Sequence, residues 1–101
     1  MLLQDVANQQ AEGVAIAGFN NLMATAFSGF KSLNSGVKAW LVDTGIPFNA
    51  ALDNPTAYGA ANAECYNADG VSCLWWNDYH PGMKIQELVG DAVAAAVGLS
   101  L

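Results

Sequence analysis

Apolar residues recur at helical spacing through the first third of the chain. From Phe19 they fall at Phe19, Leu22, Met23, Ala26, Phe27, Phe30 and Leu33, the i, i+3, i+4, i+7 progression of a single helix face. The pattern predicts a helix over residues 2–34. Gly13, Gly18 and Gly29 weaken it locally, each by up to about 1 kcal/mol relative to alanine, and a break near Gly13 is compatible with it. Asn34-Ser35-Gly36 is the turn signal that stops it. The next segment, Val37-Lys-Ala-Trp-Leu-Val-Asp43, is short, mostly apolar and rich in β-formers, which predicts a buried strand of a parallel sheet. A long helix, a tight turn and a buried strand make an αβ unit. Pro47 suits the first turn of a short helix with Phe48, Ala51 and Leu52 facing inward, and Asn54-Pro55 ends it. Residues 55–74 read as loop, and a loop of that length in a compact domain is functional or specially anchored. The last element is a helix beginning at Pro81, with Ile85, Leu88, Val89, Ala92, Val93 and Ala96 on its apolar face. Neither a repeat nor a low-complexity linker interrupts residues 1–101, which read as one domain or part of one.

Composition makes that helical, apolar pattern harder to close on itself. Hydrophobic residues are 53% of the 101 and charged residues only 12%, whereas a small domain leaves much of its surface wet. The excess points to a core completed by a partner or by further polypeptide; a small alanine-rich helical domain is the plainer alternative. The net charge is −6, with Lys31, Lys38 and Lys84 and no arginine. Such a chain cannot cluster cations against phosphates, so nucleic-acid binding and adhesion to an anionic membrane are excluded. An acidic surface is compatible with neutral sugar substrates without pointing to them. No segment approaches the ~20 apolar residues that span a bilayer; the run Ala92 to Leu101 is short and follows Asp91. The start, Met1-Leu-Leu-Gln-Asp5, lacks the basic residues and cleavage site of a signal peptide, so a secreted parent would carry its signal upstream. Asn54-Pro-Thr56 is no glycosylation acceptor because of its proline.

Two cysteines, Cys65 and Cys73, lie in the polar stretch 62–73. They are too few for a structural zinc site. A disulfide closing this small loop would stabilise by roughly 2–3 kcal/mol; two free thiols are the alternative. Trp75 and Trp76 invite a sugar-stacking reading, but neighbours in an extended segment point to opposite faces. At most one can face a cleft, and at least one is expected in the core.

His80 is the only histidine, within Trp75-Trp-Asn-Asp-Tyr-His-Pro-Gly82 at a loop-to-helix junction. Lone histidines are more often structural or solvated than catalytic. A helix N-terminus disfavours positive charge, which would keep the imidazole neutral, as a general base must be.

This segment resembles the C-terminal block of GDSL (SGNH) hydrolases, Asp-x-x-His-Pro followed by a helix. Phe19-Asn-Asn-Leu22 through Phe30 and Ser35 to Asp43 resemble that family's long helix and last strand. Ile46 to Gly59 is similar to the helix that follows in its fungal acetylesterases. The likeness covers nearly the whole chain, and the order of elements makes it stronger than the short His-Pro block alone. It implies an α/β fold: the C-terminal portion of a three-layer α/β/α sandwich, mostly helical in this chain. It further implies an extracellular serine ester hydrolase as parent, most similar to acetylesterases of plant-wall carbohydrates, with an ester substrate such as an acetylated oligosaccharide, no cofactor and no metal. In that family a serine in a Gly-Asp-Ser block attacks the ester, the histidine shuttles its proton, an aspartate three residues earlier orients the ring, and backbone, glycine and asparagine donors hold the oxyanion.

The chain departs from the pattern twice. Gly90-Asp91-Ala92 has alanine where a nucleophile would stand; Ser28, Ser32, Ser35, Ser72 and Ser100 fit no nucleophile motif; and the Gly-x-Asn-Asp block is absent. The expectation is a chain that begins after those blocks and is inactive alone. Three before His80 stands Asn77, with Asp78 two before. An asparagine can hold the ring N–H through its carbonyl but cannot stabilise an imidazolium by charge. The candidate catalytic residues are therefore His80, Asn77 and Asp78, with Asn77 the favoured orienting group. Two other readings stand beside this one: a lipase or phospholipase of the same superfamily, and a secreted, disulfide-stapled binding protein without enzymatic function.

Overall fold

A computed structural model describes residues 5–98. They form two compact units, residues 5–41 and 42–98. The expected helical residues 2–4, the N-terminal signal reading, Ser100 and the end of the C-terminal apolar run lie outside the described residues.

The first unit is built on α1, Val6–Leu33. Its start is capped by Asp5, whose Oδ1 accepts the Asn8 N–H at 2.9 Å and satisfies one of the helix's orphan donors. Lys31 sits in the last turn, where a cation complements the helix dipole. The Asn34 side chain donates to the Phe30 carbonyl at 2.9 Å, and the Val37 N–H donates to the Asn34 carbonyl, so the expected turn is in place. The helix runs unbroken through Gly13. None of its residues is buried: the predicted apolar face exists as a stripe, with Phe19 61% and Leu22 73% exposed.

The expected strand at residues 37–43 does not form. Among the described residues there is no sheet, only two isolated bridges, Tyr66 with Trp75 and Trp75 with Pro81. Val37, Trp40 and Leu41 are exposed. β-rich composition describes a segment suited to a pleated surface, but a parallel strand exists only through hydrogen bonds to neighbouring strands, and no such neighbours are present among the described residues. The described chain is mostly helical, as expected for it, and its strand expectation at residues 37–43 is corrected.

The second unit contains α2, Gly45–Asp53, a 3₁₀ turn over Pro55–Tyr58 and α3, Met83–Ala96. Asp43 Oδ1 accepts the Gly45 N–H at 2.9 Å, a side-chain turn that launches α2. α2 packs on α3 and on the 3₁₀ turn. The core is small: Ala51, Ala60, Leu74 and Ile85 are buried, with Phe48, Leu52, Tyr58, Trp75, Leu88 and Val89 packed around them. The inward face predicted for α2 is thus the observed one. α3 starts at Met83 rather than Pro81, because the Gly82 N–H donates to the Leu74 carbonyl and the Met83 N–H to the Gly70 carbonyl; the chain there belongs first to the loop. Of its predicted face, Ile85, Leu88 and Val89 meet the core, whereas Val93 is 43% exposed and Ala94 is buried instead. No helix among the described residues is long and apolar enough to cross a membrane.

Candidate functional site

The loop 59–82 is held by polar turns and a covalent staple where apolar anchors are few. Asn62 Oδ1 accepts the N–H groups of Glu64 and Cys65, and Asn67 Oδ1 that of Asp69. Asp69 Oδ1 accepts those of Val71 and Ser72, and the Ser72 hydroxyl donates to its other oxygen. That hydroxyl, with the two backbone N–H groups, holds the Asp69 carboxyl below the ordinary carboxylate range, since donors aimed at the ionised form favour it. Cys65 and Cys73 form a disulfide with Cα atoms 5.5 Å apart. With a core of so few buried side chains, a staple of this kind carries a large share of the stability.

Both tryptophans pin the segment before the histidine to this loop. The Trp75 indole N–H donates to the Ala63 carbonyl at 2.8 Å, and its ring packs on the core, 6.3 Å from that of Phe48. The Trp76 indole N–H donates to the Ala68 carbonyl at 2.8 Å, yet the side chain is 47% exposed. One tryptophan therefore faces inward and the next outward, as alternation along an extended segment requires.

Gly82 closes the arrangement. It is buried, and a Cβ there would lie 3.0 Å from the carbonyl oxygens of Gly70 and Leu74 and 3.2 Å from that of Cys73. Three backbone atoms leave no room for a methyl group. Gly82→Ala should destabilise the protein by about 1–3 kcal/mol, the cost of overpacking a site that cannot give way; chemical denaturation measures it, and an unchanged midpoint would refute the tight approach.

His80 is exposed and Asn77 is half-buried. Asn77 Oδ1 accepts the backbone N–H groups of Tyr79 and His80, both at 2.8 Å, and the same oxygen lies 2.9 Å from His80 Nδ1. Two backbone donors settle which end of the amide faces inward, because an NH₂ could not accept from them. An amide oxygen only accepts, so Nδ1 is the donor in this contact, and in the neutral ring Nε2 is the acceptor. The ring is thus held in one tautomer, with an atom able to take a proton. Among the described residues, no hydrogen bond joins Asp78 to the ring. The structure brings Asn77 and His80 together and leaves Asp78 beside them.

His80 also borders an open cavity of about 210 Å³, lined with it by Gly70, Trp76, Pro81, Gly82, Met83 and Gln86. The Trp76 and His80 rings meet edge to face, with centroids 6.0 Å apart. Sequence reasoning named Trp76 but not Met83, Gln86 or the close approach at Gly82. The i, i+4 spacing of Trp76 and His80 was a visible signal; the approach of residues 70 and 73–74 to Gly82 has no local signature.

Comparison with known proteins adds one relative. Neither a family model nor a solved structure matches the chain. Over 89 residues, 88% of this chain, the sequence is 56% identical to an acetylesterase of the fungus Thermothelomyces thermophilus. The chain spans only 30% of the length of that relative, to whose matched segment it is plainly similar.

Proposed function

We propose that this chain supplies the histidine base of a serine ester hydrolase of the GDSL/SGNH type, an acetylesterase, whose nucleophile lies on polypeptide outside these 101 residues. The observation that carries the reading is the triple-acceptor oxygen of Asn77, which holds the His80 imidazole by Nδ1 and leaves Nε2 as the acceptor of the neutral ring at the rim of an open cavity. The 56% identity to an acetylesterase supports the chemistry.

In this reading His80 Nε2 takes the proton of a serine hydroxyl as its oxygen attacks the ester carbonyl. It returns that proton to the leaving alcohol, then takes one from the water that attacks the acetyl-serine and gives it to the serine oxygen as acetate leaves. Asn77 holds the ring through both transfers without a compensating negative charge. No serine among the described residues shares a hydrogen bond with His80, which fits a nucleophile carried elsewhere, and in this reading the 101 residues are inactive alone. The disulfide fits an oxidising, extracellular setting. The unburied apolar stripe of α1 fits a helix layer of a three-layer sandwich whose sheet is built by other residues. Acetylated plant-wall carbohydrate is the proposed substrate.

A chimera tests this directly. The matched segment of the Thermothelomyces acetylesterase is replaced by the corresponding residues of this chain, and hydrolysis of 4-nitrophenyl acetate is measured. Retention of turnover within about tenfold, or 1.4 kcal/mol in barrier, is expected. A folded, inactive chimera would remove the esterase reading and leave a disulfide-stapled binding module in its place.

A further inference from the structure

We infer that Trp76 is a positioning residue for the His80 base: its indole, anchored in the loop 65–73 that the disulfide closes, fixes the orientation of the imidazole. The inference rests on the esterase reading and deepens it by naming what holds the base besides Asn77.

The bond between Asn77 Oδ1 and His80 Nδ1 fixes one atom of the ring. Hydrogen bonds to a carbonyl oxygen tolerate a broad range of approach directions, so the ring can still tilt about that contact and swing Nε2 off its target. Among the described residues no second hydrogen bond reaches the imidazole. Its ring contact is with Trp76, edge to face at 69° with centroids 6.0 Å apart, inside the roughly 4.5–7 Å range of favourable aromatic pairs.

Trp76 is itself held at both ends. Its backbone N–H donates to the His80 carbonyl at 2.8 Å, and the Gly82 N–H donates to the Leu74 carbonyl, so tryptophan and histidine stand opposite each other across one narrow turn. Its indole N–H donates to the Ala68 carbonyl at 2.8 Å. Ala68 lies between Cys65 and Cys73, and the loop they close is tied down again where the Asn67 N–H donates to the Trp75 carbonyl and the Met83 N–H to the Gly70 carbonyl. Disulfide, loop, indole and imidazole form one continuous series of contacts. A side chain whose own rotamer is locked by a hydrogen bond can lock the one it touches. Burial does not account for Trp76, since it is half exposed and Trp75 is the tryptophan packed on the core.

Trp76→Ala in the acetylesterase chimera is expected to lower kcat by about tenfold or more and to change KM by less than about twofold, because a base displaced by ~1 Å costs up to ~10² in rate while ground-state binding is spared. Trp76→Phe keeps an aromatic face and gives up the Ala68 anchor, and should lose about threefold. NMR couplings across the His80 Cα–Cβ bond in the 101-residue chain give a readout that a merely structural role would not move: one rotamer in the parent and averaged values in Trp76→Ala, with circular dichroism showing that the helices persist. Where the alanine variant unfolds, Trp76→Phe carries the same measurements. Parental kcat in the folded variants, a raised KM with kcat intact, or a single His80 rotamer without the indole overturns the inference. The two readings fail separately: an inactive parent chimera sinks the esterase and the base with it, whereas an active chimera whose kcat is indifferent to position 76 sinks the positioning role alone.

Discussion

His80→Ala in the acetylesterase chimera is expected to lower kcat/KM for 4-nitrophenyl acetate by about 10⁴-fold or more, with KM nearly unchanged. The magnitude follows from the division of labour in a hydroxyl–imidazole pair. The hydroxyl is a weak nucleophile at neutral pH and attacks only as its proton leaves, so removing the base removes almost all of the acceleration except that from oxyanion donors and binding. KM is spared because the imidazole acts chiefly in the transition state. His80 is exposed and contributes no core contact, so the variant should unfold at the same denaturant concentration as its parent. A loss below tenfold in a stable variant would show that position 80 is not the base.

The second large effect separates two adjacent residues. Asn77→Ala in the chimera should lower turnover by about 10² or more, toward the ~10⁴ that follows when an orienting group presents the wrong tautomer, while Asp78→Ala should change it by less than about threefold. The asymmetry comes from geometry. Asn77 Oδ1 meets Nδ1 at 2.9 Å and is itself immobilised by the N–H groups of Tyr79 and His80, so its loss frees both the ring and the turn beneath it. Asp78 has no hydrogen bond to the ring. The ¹⁵N shifts of the imidazole give a readout apart from activity: one Nδ1–H tautomer in the parent, a mixture in Asn77→Ala. If Asp78→Ala collapses turnover and Asn77→Ala does not, the assignment of the orienting group is reversed.

Both predictions rest on a site that was partly legible in advance. Asn77 and His80 are three residues apart, and an asparagine side chain that turns back onto the N–H groups two and three residues on is local chemistry. The same applies to the Asx turns at Asn62, Asn67 and Asp69, which explain how a long polar loop is anchored. Cys65 and Cys73 pair because eight intervening bonds of chain suit a small closed loop, and their disulfide is present. The split between Trp75 and Trp76 was foreseeable in kind, since alternation puts one on each face, but not in which ring would be covered; that depended on Phe48, far away in the chain.

Periodicity and turn residues were enough to place the helices: the turn from Asn34 ends α1, Pro47 lies in the first turn of α2 and Asn54 ends it, and the inward residues of α2 can be read off their spacing. These features act over three or four residues, within reach of the local code. The failed strand at 37–43, the late start of α3 at Met83, the backbone crowding at Gly82 and the cavity under Trp76 lie beyond that reach. Each is set by a group distant in the chain: absent strand neighbours for the first, the carbonyls of Gly70, Cys73 and Leu74 for the second and third, and the approach of Gly70, in the loop that the disulfide closes, to residues 76–86 for the last. Hydrogen bonds between residues far apart in sequence form only when packing delivers both partners, and no pattern along a single segment records whether it will.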